Sequence, residues 1–222
     1  MKTKINEIFS SIQGEGPVVG YKQLFIRFCN CNLKCNYCDT EFQTGVEYSE
    51  EDLYKKITSE YDLATFHSIS LTGGEPLLSV DFLKVFLPLV KNDVQIYLET
   101  NATLSNEITK IKEYIDIISA DIKLKSSTGF DSFELHRKFF EKSKGVKTFA
   151  KIVFDENITD DEIAKCVDLA KEFNLELVLQ PKMIGDKMAV SSDFCTKILD
   201  VFTKKYKNTR LIPQVHKFLN VI

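Results

Sequence analysis

The chain has 222 residues, of which 44% are hydrophobic and 27% charged, ordinary values for a globular protein that can bury a substantial core. Its net charge of −3 gives no reason to expect a nucleic-acid partner, and no segment approaches the ~20 apolar residues that span a bilayer. Residues 1–7 lack the apolar core of a signal peptide, so we expect a cytoplasmic protein in a reducing compartment.

Apolar and amphipathic runs alternate with a period of about 25 to 30 residues, which is typical of repeated β/α units. The predicted strands are Leu24–Phe28, Ser68–Leu71, Val94–Glu99, Ile115–Asp121, Thr148–Phe154, Glu176–Gln180 and Thr209–Ile212. Predicted helices follow a capping hydroxyl at Ser49 and a capping box at Thr159. The other predicted helices are Val80–Val90, Asn106–Glu113, Ser132–Lys142 and Ser192–Lys204. This alternation predicts a parallel sheet covered by helices, either open or coiled into a barrel, in one domain over residues 1–222.

Polar and glycine-rich segments follow several predicted strands. These segments are Cys29–Thr40, Thr72–Pro76, Thr100–Thr103, Lys123–Gly129 and Pro181–Gly185. Because the carboxyl ends of parallel strands meet at one edge, where α/β proteins assemble their sites, we expect these segments to surround a common site.

Three cysteines, Cys31, Cys35 and Cys38, follow the first predicted strand with the spacing C-x3-C-x2-C. Thiolates this close converge when a loop wraps around a metal centre, and three sulfurs suit a four-iron cluster with one open iron. A zinc or closed iron–sulfur site with Cys29 as the fourth ligand is the alternative. The two remaining cysteines, at positions 166 and 195, are interpreted as small core residues of helices.

The cysteine spacing resembles the signature of the radical S-adenosylmethionine superfamily. The resemblance implies that Cys31, Cys35 and Cys38 hold a [4Fe–4S] cluster, whose fourth iron is chelated by S-adenosylmethionine. One electron from the cluster then produces a 5′-deoxyadenosyl radical that abstracts a hydrogen atom from the substrate. Tyr37 is expected near the adenine, with a structural aromatic as the alternative.

Later strand ends resemble further cofactor-binding segments of the superfamily. Gly73-Gly74-Glu75 matches the motif for the methionyl amine, since a carboxylate can pair with an ammonium group. Ala102 departs from the pattern, because relatives tend to have glycine there. The implied cofactor-binding residues besides Tyr37 are Gly73, Gly74, Glu75, Glu99, Asn101, Ser119, Asp121, Lys123 and Gln180. For Asp121 and Lys123, which share one strand face, a solvated salt bridge is the alternative.

Three further segments closely resemble the 7-carboxy-7-deazaguanine synthase family: Ser11–Gly16, Cys38-Asp39-Thr40 and the closing Ile212–Lys217. Asn30 departs from the family pattern, which usually has glycine there, and this affects the local turn. The implied substrate-binding residues are Ile12, Gln13, Gly14, Glu15, Arg27, Thr72, Gly73 and His216, with Thr40 as a ligand of Mg²⁺. Arg27 suits a bidentate grip on a carboxylate, and an internal salt bridge is the alternative.

The family resemblance implies a ring contraction of 6-carboxy-5,6,7,8-tetrahydropterin to 7-carboxy-7-deazaguanine with loss of ammonia, in queuosine and deazapurine biosynthesis. The implied cofactors are a [4Fe–4S] cluster, S-adenosylmethionine and Mg²⁺, and the implied partners are a flavodoxin- or ferredoxin-type electron donor and a second copy of the chain. The implied fold is a partial (β/α)6-like barrel of the TIM type, because a closed barrel needs roughly 250 residues.

Two other functions are consistent with parts of this pattern. A glycyl-radical-enzyme activase has the same cysteine spacing, and Asp121-x-Lys123 resembles one of its motifs. A noncatalytic zinc module on Cys29, Cys31, Cys35 and Cys38 is the other alternative. The segments Gln13–Gly16 and Cys38-Asp39-Thr40 favour the pterin enzyme over the activase, and the Gly73-Gly74-Glu75 motif argues against the zinc module.

Overall fold

Eleven strands and eight α-helices lie in residues 1–35 and 44–221, the part of the chain that the computed structural model describes. The strands are β1 Lys2–Ile12, β2 Lys22–Phe28, β3 Val46–Ser49, β4 Ser68–Gly73, β5 Gln95–Thr100, β6 Ile117–Asp121, β7 Lys147–Phe154, β8 Glu176–Pro181, β9 Met183–Ile184, β10 Lys187–Met188 and β11 Thr209–Leu211. The helices are α1 Glu50–Glu60, α2 Val80–Val90, α3 Ser105–Ile108, α4 Lys125–Thr128, α5 Phe133–Lys142, α6 Asp160–Phe173, α7 Ser192–Lys205 and α8 Val215–Leu219.

The main sheet has the strand order β11-β8-β7-β6-β5-β4-β2-β1-β3. From β2 to β11 every neighbouring pair is parallel, whereas β1 is antiparallel to both β2 and β3. Within the described residues the two edge strands, β11 and β3, do not pair with each other. The sheet is therefore an open barrel, which confirms the predicted α/β class and partial barrel.

Each parallel strand presents different chemistry on its two faces, because successive side chains point to opposite sides. The outer face is apolar and packs under the helices; it includes Leu24, Ile26, Phe28, Ile69, Leu71, Ile96, Leu98, Ile118, Ala120, Ala150, Ile152, Phe154, Leu177 and Leu179. The inner face carries the polar side chains Gln23, Arg27, Ser68, Ser70, Thr72, Glu99, Ser119, Asp121, Lys151 and Gln180. The polar residues of these strands therefore concentrate inside the barrel.

The connection between β1 and β2 fills the bottom of the barrel. Val18 of this connection packs in a small apolar cluster with Tyr97, Ile117, Phe149 and Val178. Gly16 lies so close to β7 that an added Cβ would come within 2.6 Å of the Phe149 ring. This cluster closes the lower end of the interior and leaves the carboxyl ends of the strands open.

The predicted helix starts are confirmed at both capped positions. Ser49 Oγ accepts a hydrogen bond from the Asp52 N–H at 3.2 Å. At α6, Thr159 Oγ1 accepts from the Glu162 N–H at 3.2 Å, while Glu162 Oε2 accepts from the Thr159 N–H at 2.9 Å. This reciprocal pair satisfies two backbone donors that a helix start leaves free. The described part of the chain contains no helix with the length and apolar character needed to cross a membrane.

One predicted helix differs from the structure, and the sequence did not predict strands β1, β3, β9 and β10 or the short helices α4 and α8. The predicted helix Asn106–Glu113 is wrong: α3 ends at Ile108, and the chain continues through tight turns whose N–H groups bond three residues back, as Lys110 does to Glu107. Ile108, Thr109 and Ile111 are β-branched, and the Thr109 hydroxyl binds the Asn106 carbonyl at 2.7 Å, which disfavours a continued α-helix. Strand β1 was not predicted, because its buried and exposed positions do not alternate regularly.

Candidate active site

A cavity of about 260 Å³ opens at the carboxyl ends of the parallel strands. Most of the residues singled out in the sequence line it, namely Ile12, Gln13, Gly14, Glu15, Arg27, Cys31, Cys35, Thr72, Gly73, Gly74, Glu99, Asn101, Asp121, Lys123, Gln180 and His216. They come from segments as far apart as the start and the end of the chain. The crossovers of the sheet therefore bring the predicted residues into one place.

Three predicted positions, Tyr37, Cys38 and Thr40, lie outside the described residues. Within the described ranges no three metal-ligating side chains converge, and the two described thiols of the cysteine loop both line the cavity. Cys29 does not line it; its buried thiol donates to the Thr44 carbonyl at 3.6 Å. The fourth-ligand alternative for Cys29 thus gains no support from its position.

The cysteine loop rests on the Gly73-Gly74 turn. An added Cβ on Gly74 would lie 1.7 Å from the Asn30 carbonyl oxygen, so this contact requires glycine. The N–H of Glu75 donates to the same carbonyl at 2.8 Å, and Asn30 has a φ of 67°. Asparagine tolerates this left-handed conformation, which explains how the turn forms where the family usually has glycine.

The Glu75 carboxylate, predicted to meet the methionyl amine, is fully buried behind the cavity wall. Its Oε1 accepts from the Thr100 hydroxyl at 2.8 Å and the Leu77 N–H at 3.1 Å, and its Oε2 accepts from the Asn101 N–H at 2.7 Å. Burial raises the pKa of Glu75 to about 7, although these donors oppose the change. In this structure the Glu75 side chain links the ends of β4 and β5 by hydrogen bonds and does not line the cavity. Gly73, Gly74 and Asn101 line the cavity at this point.

Asn101 connects the end of β5 to the cysteine loop. Its Nδ2 donates to Asn32 Oδ1 at 2.8 Å and lies 3.8 Å from Cys31 Sγ. Asn32 in turn donates to the Thr103 hydroxyl at 3.0 Å. These bonds place Asn101 beside the Cys31 thiol.

At the ends of β6 and β8 the cavity wall carries charged and amide groups. Lys123 Nζ donates to Asp121 Oδ2 at 2.7 Å, so the salt bridge considered for this pair is present. Both side chains also line the cavity. Ser119 lies deeper, buried, and bonds the Tyr97 hydroxyl. Gln180 is 2% exposed, and its Oε1 has no hydrogen-bond partner within the described residues. A buried amide oxygen without a partner at a cavity wall fits a donor group of a bound molecule.

The Gln13–Gly16 turn forms another part of the cavity wall. Gln13 is nearly fully buried, and its Nε2 donates to Gln23 at 2.8 Å and to Glu99 Oε1 at 3.0 Å, while its Oε1 accepts from the Glu15 N–H at 2.9 Å. All of these bonds are internal, so the Gln13 side chain shapes the turn. Glu99 also accepts from Ser70 and Thr72, and burial raises its pKa.

The C-terminal segment packs directly onto this turn. The Val215 N–H donates to the Gly14 carbonyl at 2.9 Å, and Gln214 Nε2 donates to Glu15 Oε1 at 2.6 Å. An added Cβ on Gly14 would lie 2.2 Å from His216 Nδ1. His216 is thus at the cavity, as predicted, and its neighbour Gln214 contributes to the wall as well.

Arg27 lies at the mouth of the cavity and forms an ion pair with Glu7, its cross-strand partner on β1, at 2.6 Å. Its guanidinium lies 5.1 Å from the Phe9 ring centroid, and Phe9 stacks on Phe25. The internal salt bridge considered for Arg27 is therefore present. A guanidinium has five N–H donors, so the pair with Glu7 leaves donors for a second carboxylate.

Lys151 is the main residue that the sequence reasoning missed. Its ammonium donates to Glu15 Oε2 and lies 3.4 Å from Asp121 Oδ1. Burial alone would raise the pKa of Glu15, but the charge and hydrogen bond of Lys151 and the bond from Gln214 lower it to about 2. The available signal was a lysine within the otherwise apolar run Phe149–Phe154.

His136 is fully buried beneath the site. A carbonyl only accepts and a backbone N–H only donates, so Nδ1–H donates to the Ala102 carbonyl at 3.1 Å and Nε2 accepts from the Lys123 N–H at 3.0 Å. Burial lowers the pKa of His136 to about 4, which keeps the ring neutral. The ring therefore joins the loops that follow β5 and β6.

The comparisons with known proteins agree with this arrangement. The family model described as the Radical SAM superfamily matches residues 25–177. A 7-carboxy-7-deazaguanine synthase from Geobacter sulfurreducens is 33% identical over 97% of this chain and 96% of its own length, and one from Archaeoglobus fulgidus is 33% identical over the full length of both chains. The crystal structure of QueE from Escherichia coli is similar in fold, with a TM-score of 0.68 and 21% identity over 97% of this chain and 95% of that chain.

Proposed function

Because this chain belongs to the radical S-adenosylmethionine superfamily and, within it, to the 7-carboxy-7-deazaguanine synthases, we propose that it converts 6-carboxy-5,6,7,8-tetrahydropterin to 7-carboxy-7-deazaguanine and ammonia. It is a radical enzyme of the carbon–nitrogen lyase class. Similarity over the full length of its relatives, which includes both the cysteine loop and the C-terminal segment, carries this assignment. The same similarity disfavours the glycyl-radical-enzyme activase.

The residues present fit a cluster and a nucleoside cofactor, and we call the lining residues assigned to them the cofactor wall. The Cys31 and Cys35 thiols, the Gly73-Gly74 turn and Gln180, whose Oε1 has no hydrogen-bond partner within the described residues, all line the cavity. We assign the cluster to Cys31, Cys35 and Cys38, and S-adenosylmethionine to this wall with Tyr37, Asn101, Asp121 and Lys123. When bound, cluster and cofactor supply the 5′-deoxyadenosyl radical that abstracts hydrogen from the substrate.

The lining residues that we assign to the substrate, here called the substrate wall, suit an anionic, hydrogen-bonding ring system. Arg27 offers unused N–H donors for the substrate carboxylate, beside Thr72 and Gly73. Glu15 is ionised and fixed by Lys151 and Gln214, so it presents an acceptor to ring N–H groups. His216 and Gly14 complete this wall, while Gln13 orients Glu15 through its N–H. These residues bind and orient the ring and exclude water from it.

The proposal also covers the Mg²⁺ ligand, the electron donor, the oligomeric state, the cellular location and the domain organisation. We assign Thr40 as the Mg²⁺ ligand, since Mg²⁺ prefers oxygen ligands and keeps several waters. The electron donor is of the flavodoxin or ferredoxin type. The chain acts as a homodimer in the cytoplasm. Residues 1–222 form one radical SAM domain.

The test is anaerobic turnover of reconstituted protein with S-adenosylmethionine, a reductant, Mg²⁺ and the pterin, followed by mass spectrometry. We expect 7-carboxy-7-deazaguanine from the wild type and from Cys195→Ala, whose thiol is buried in α7, and no product or cluster iron from Cys35→Ala. Formation of 5′-deoxyadenosine without the deazaguanine would contradict the substrate assignment and retain the radical chemistry.

A further inference from the structure

Lys151 is a buried cation to which the proposed reaction assigns nothing beyond its bond to Glu15. It lies in the middle of β7 on the inner face of the sheet and is only 6% exposed. A lysine is almost never buried unless it is paired, because removing an ammonium group from water is costly. Its retention at the cavity wall therefore needs partners that hold it there.

The partners of Lys151 are carboxylates that the proposed function assigns to different ligands. Its ammonium donates to Oε2 of Glu15, which is assigned to the substrate, and lies 3.4 Å from Oδ1 of Asp121, which is assigned to the cofactor, as an ion pair without a hydrogen bond. Asp121 Oδ2 in turn accepts from Lys123 at 2.7 Å, and Glu15 Oε1 accepts from Gln214 at 2.6 Å. The result is a continuous series of alternating charges, Glu15, Lys151, Asp121 and Lys123, to which the neutral amide of Gln214 adds a hydrogen bond from the C-terminal segment.

We propose that Lys151 is a positioning residue for the ring contraction: a single buried ammonium fixes the Glu15 carboxylate at the substrate wall and Asp121 at the cofactor wall. The proposal rests on the proposed function for the identity of the two ligands. It does not require Lys151 to touch either of them.

The geometry explains why one cation serves both walls. Asp121 and Lys151 are direct partners in the parallel pairing of β6 and β7, so their Cα positions are set by the sheet. Glu15 belongs to the turn after β1, which reaches β7 across the barrel interior. Without the ammonium, Glu15 and Asp121 would be two partly buried carboxylates with less charge compensation, and the turn would lose its hydrogen bond to the sheet.

The first test compares Lys151→Met with Lys147→Met, an exposed lysine at the start of the same strand. We expect Lys151→Met to raise the KM for the pterin at least about tenfold, since truncating one partner of a buried charge pair is strongly unfavourable. It should also increase the share of S-adenosylmethionine cleaved to 5′-deoxyadenosine without product. Lys147→Met should change neither quantity, and unchanged values in Lys151→Met would overturn the proposal.

A double variant separates positioning from loss of fold. In Lys151→Met with Glu15→Gln the second substitution removes one of the uncompensated charges, so thermal unfolding should move back toward the wild type while the KM stays high. Non-additive effects of the two substitutions are expected for residues that act through each other. Strictly additive effects on both unfolding and KM would show that Lys151 does not act through Glu15.

The closing experiment needs no bound cluster or substrate: a pH titration of ¹³C-carboxyl-labelled glutamates by NMR, with Glu15→Gln to assign the signal. Among the described residues, the charged or titratable groups that face Glu15 are Lys151 of β7, Glu99 and Tyr97 of β5 and His216 of the C-terminal segment, with Asp121 of β6 next to Lys151. We expect Glu15 to stay ionised throughout the folded range in the wild type, and to titrate at a higher pH in Lys151→Met but not in Lys147→Met. An unchanged Glu15 titration in Lys151→Met would overturn the proposal, whereas a shifted titration together with no deazaguanine from the wild type would overturn only the proposed function.

Discussion

Two residues other than glycine adopt left-handed backbone conformations beside the site. Asn30, in the cysteine loop, has a φ of 67°, and Ala102, after β5, has a φ of 53°. Both occupy positions where the family tends to have glycine. For Ala102 the penalty of roughly 1–2 kcal/mol for this conformation is offset in part by its fully buried methyl group and by the bond from His136 to its carbonyl.

Substitution of Asn30 tests this backbone requirement, because its side chain is exposed and no burial is lost. We expect Asn30→Ala to lower the free energy of unfolding by about 1 kcal/mol, since alanine lacks the local polar contacts that make asparagine tolerant of this conformation. Asn30→Gly should leave it within about 0.5 kcal/mol of the wild type. Urea unfolding of the protein without its cluster measures both, and equal effects of the two variants would contradict the requirement.

Arg27 is held at the cavity mouth before any substrate binds, by Glu7 on one edge and Phe9 on one face. We expect Arg27→Ala to weaken pterin binding by about 10- to 100-fold, because hydrogen bonds between charged groups contribute about 1.5–3 kcal/mol. Cluster iron and sulfide should be unchanged. Arg210→Ala is the control, since Arg210 on β11 is also ion-paired, with Glu176, but does not line the cavity. An unchanged affinity in Arg27→Ala would remove its role.

At the scale of elements, the β1–β2 connection and the C-terminal segment complete the open barrel. The β1–β2 connection enters the interior and packs Gly16 against Phe149, and the C-terminal segment then packs onto that connection at Gly14. The substrate wall is thus built from the two ends of the chain. The strands of the sheet supply the surface against which both are held.

Gly14→Ala should displace the C-terminal segment, because the added methyl would overlap the backbone N and side chain of His216. We expect a higher KM for the pterin and faster tryptic cleavage at Lys217. Gly20→Ala is the control for backbone strain without a clash: Gly20 lies in the same connection, and its φ of 92° strains an alanine there, but nothing lies within 4 Å of its added Cβ. If both variants are cleaved at the same rate, the contact with His216 does not hold the segment in place.

At the scale of the whole molecule, two buried groups oppose each other in the pH dependence of stability. Burial raises the pKa of Glu75 from 4.5 to about 7, so between these values the folded state binds more protons and stability falls as pH rises. Burial lowers the pKa of His136 from 6.5 to about 4, so between those values the unfolded state binds more protons and stability increases with pH. Their contributions therefore partly cancel between about pH 4.5 and 6.5.

Glu75→Gln removes one of the two contributions. We expect the free energy of unfolding of this variant, without its cluster, to increase more steeply with pH between 4.5 and 7 than that of the wild type, because the contribution that falls with pH is gone. The comparison of slopes cancels every group that the two proteins share. Parallel slopes in urea unfolding across this range would show that Glu75 titrates normally in the folded protein.

Local patterns in the sequence determined much of this protein. Strand and helix periodicity, the caps at Ser49 and Thr159, the cysteine spacing and the Gly73-Gly74 turn all depend on neighbours in the chain, so the fold class and most cavity residues could be predicted. The short helix α3 and strand β1 could not, because tertiary packing and local side-chain bonds override weak periodicity there.

Only the tertiary structure decided which polar groups face the cavity and which are used internally. Lys151 and Glu15 are 136 positions apart and meet because the β1–β2 connection crosses the barrel. The Glu75 carboxylate is buried behind the cavity wall, where it accepts hydrogen bonds from Thr100 and Asn101. The Gln13 amide forms its hydrogen bonds within the protein, to Gln23 and Glu15, and does not direct them into the cavity. Such pairings depend on strand order and register, and buried polar groups take the nearest partners that the fold provides.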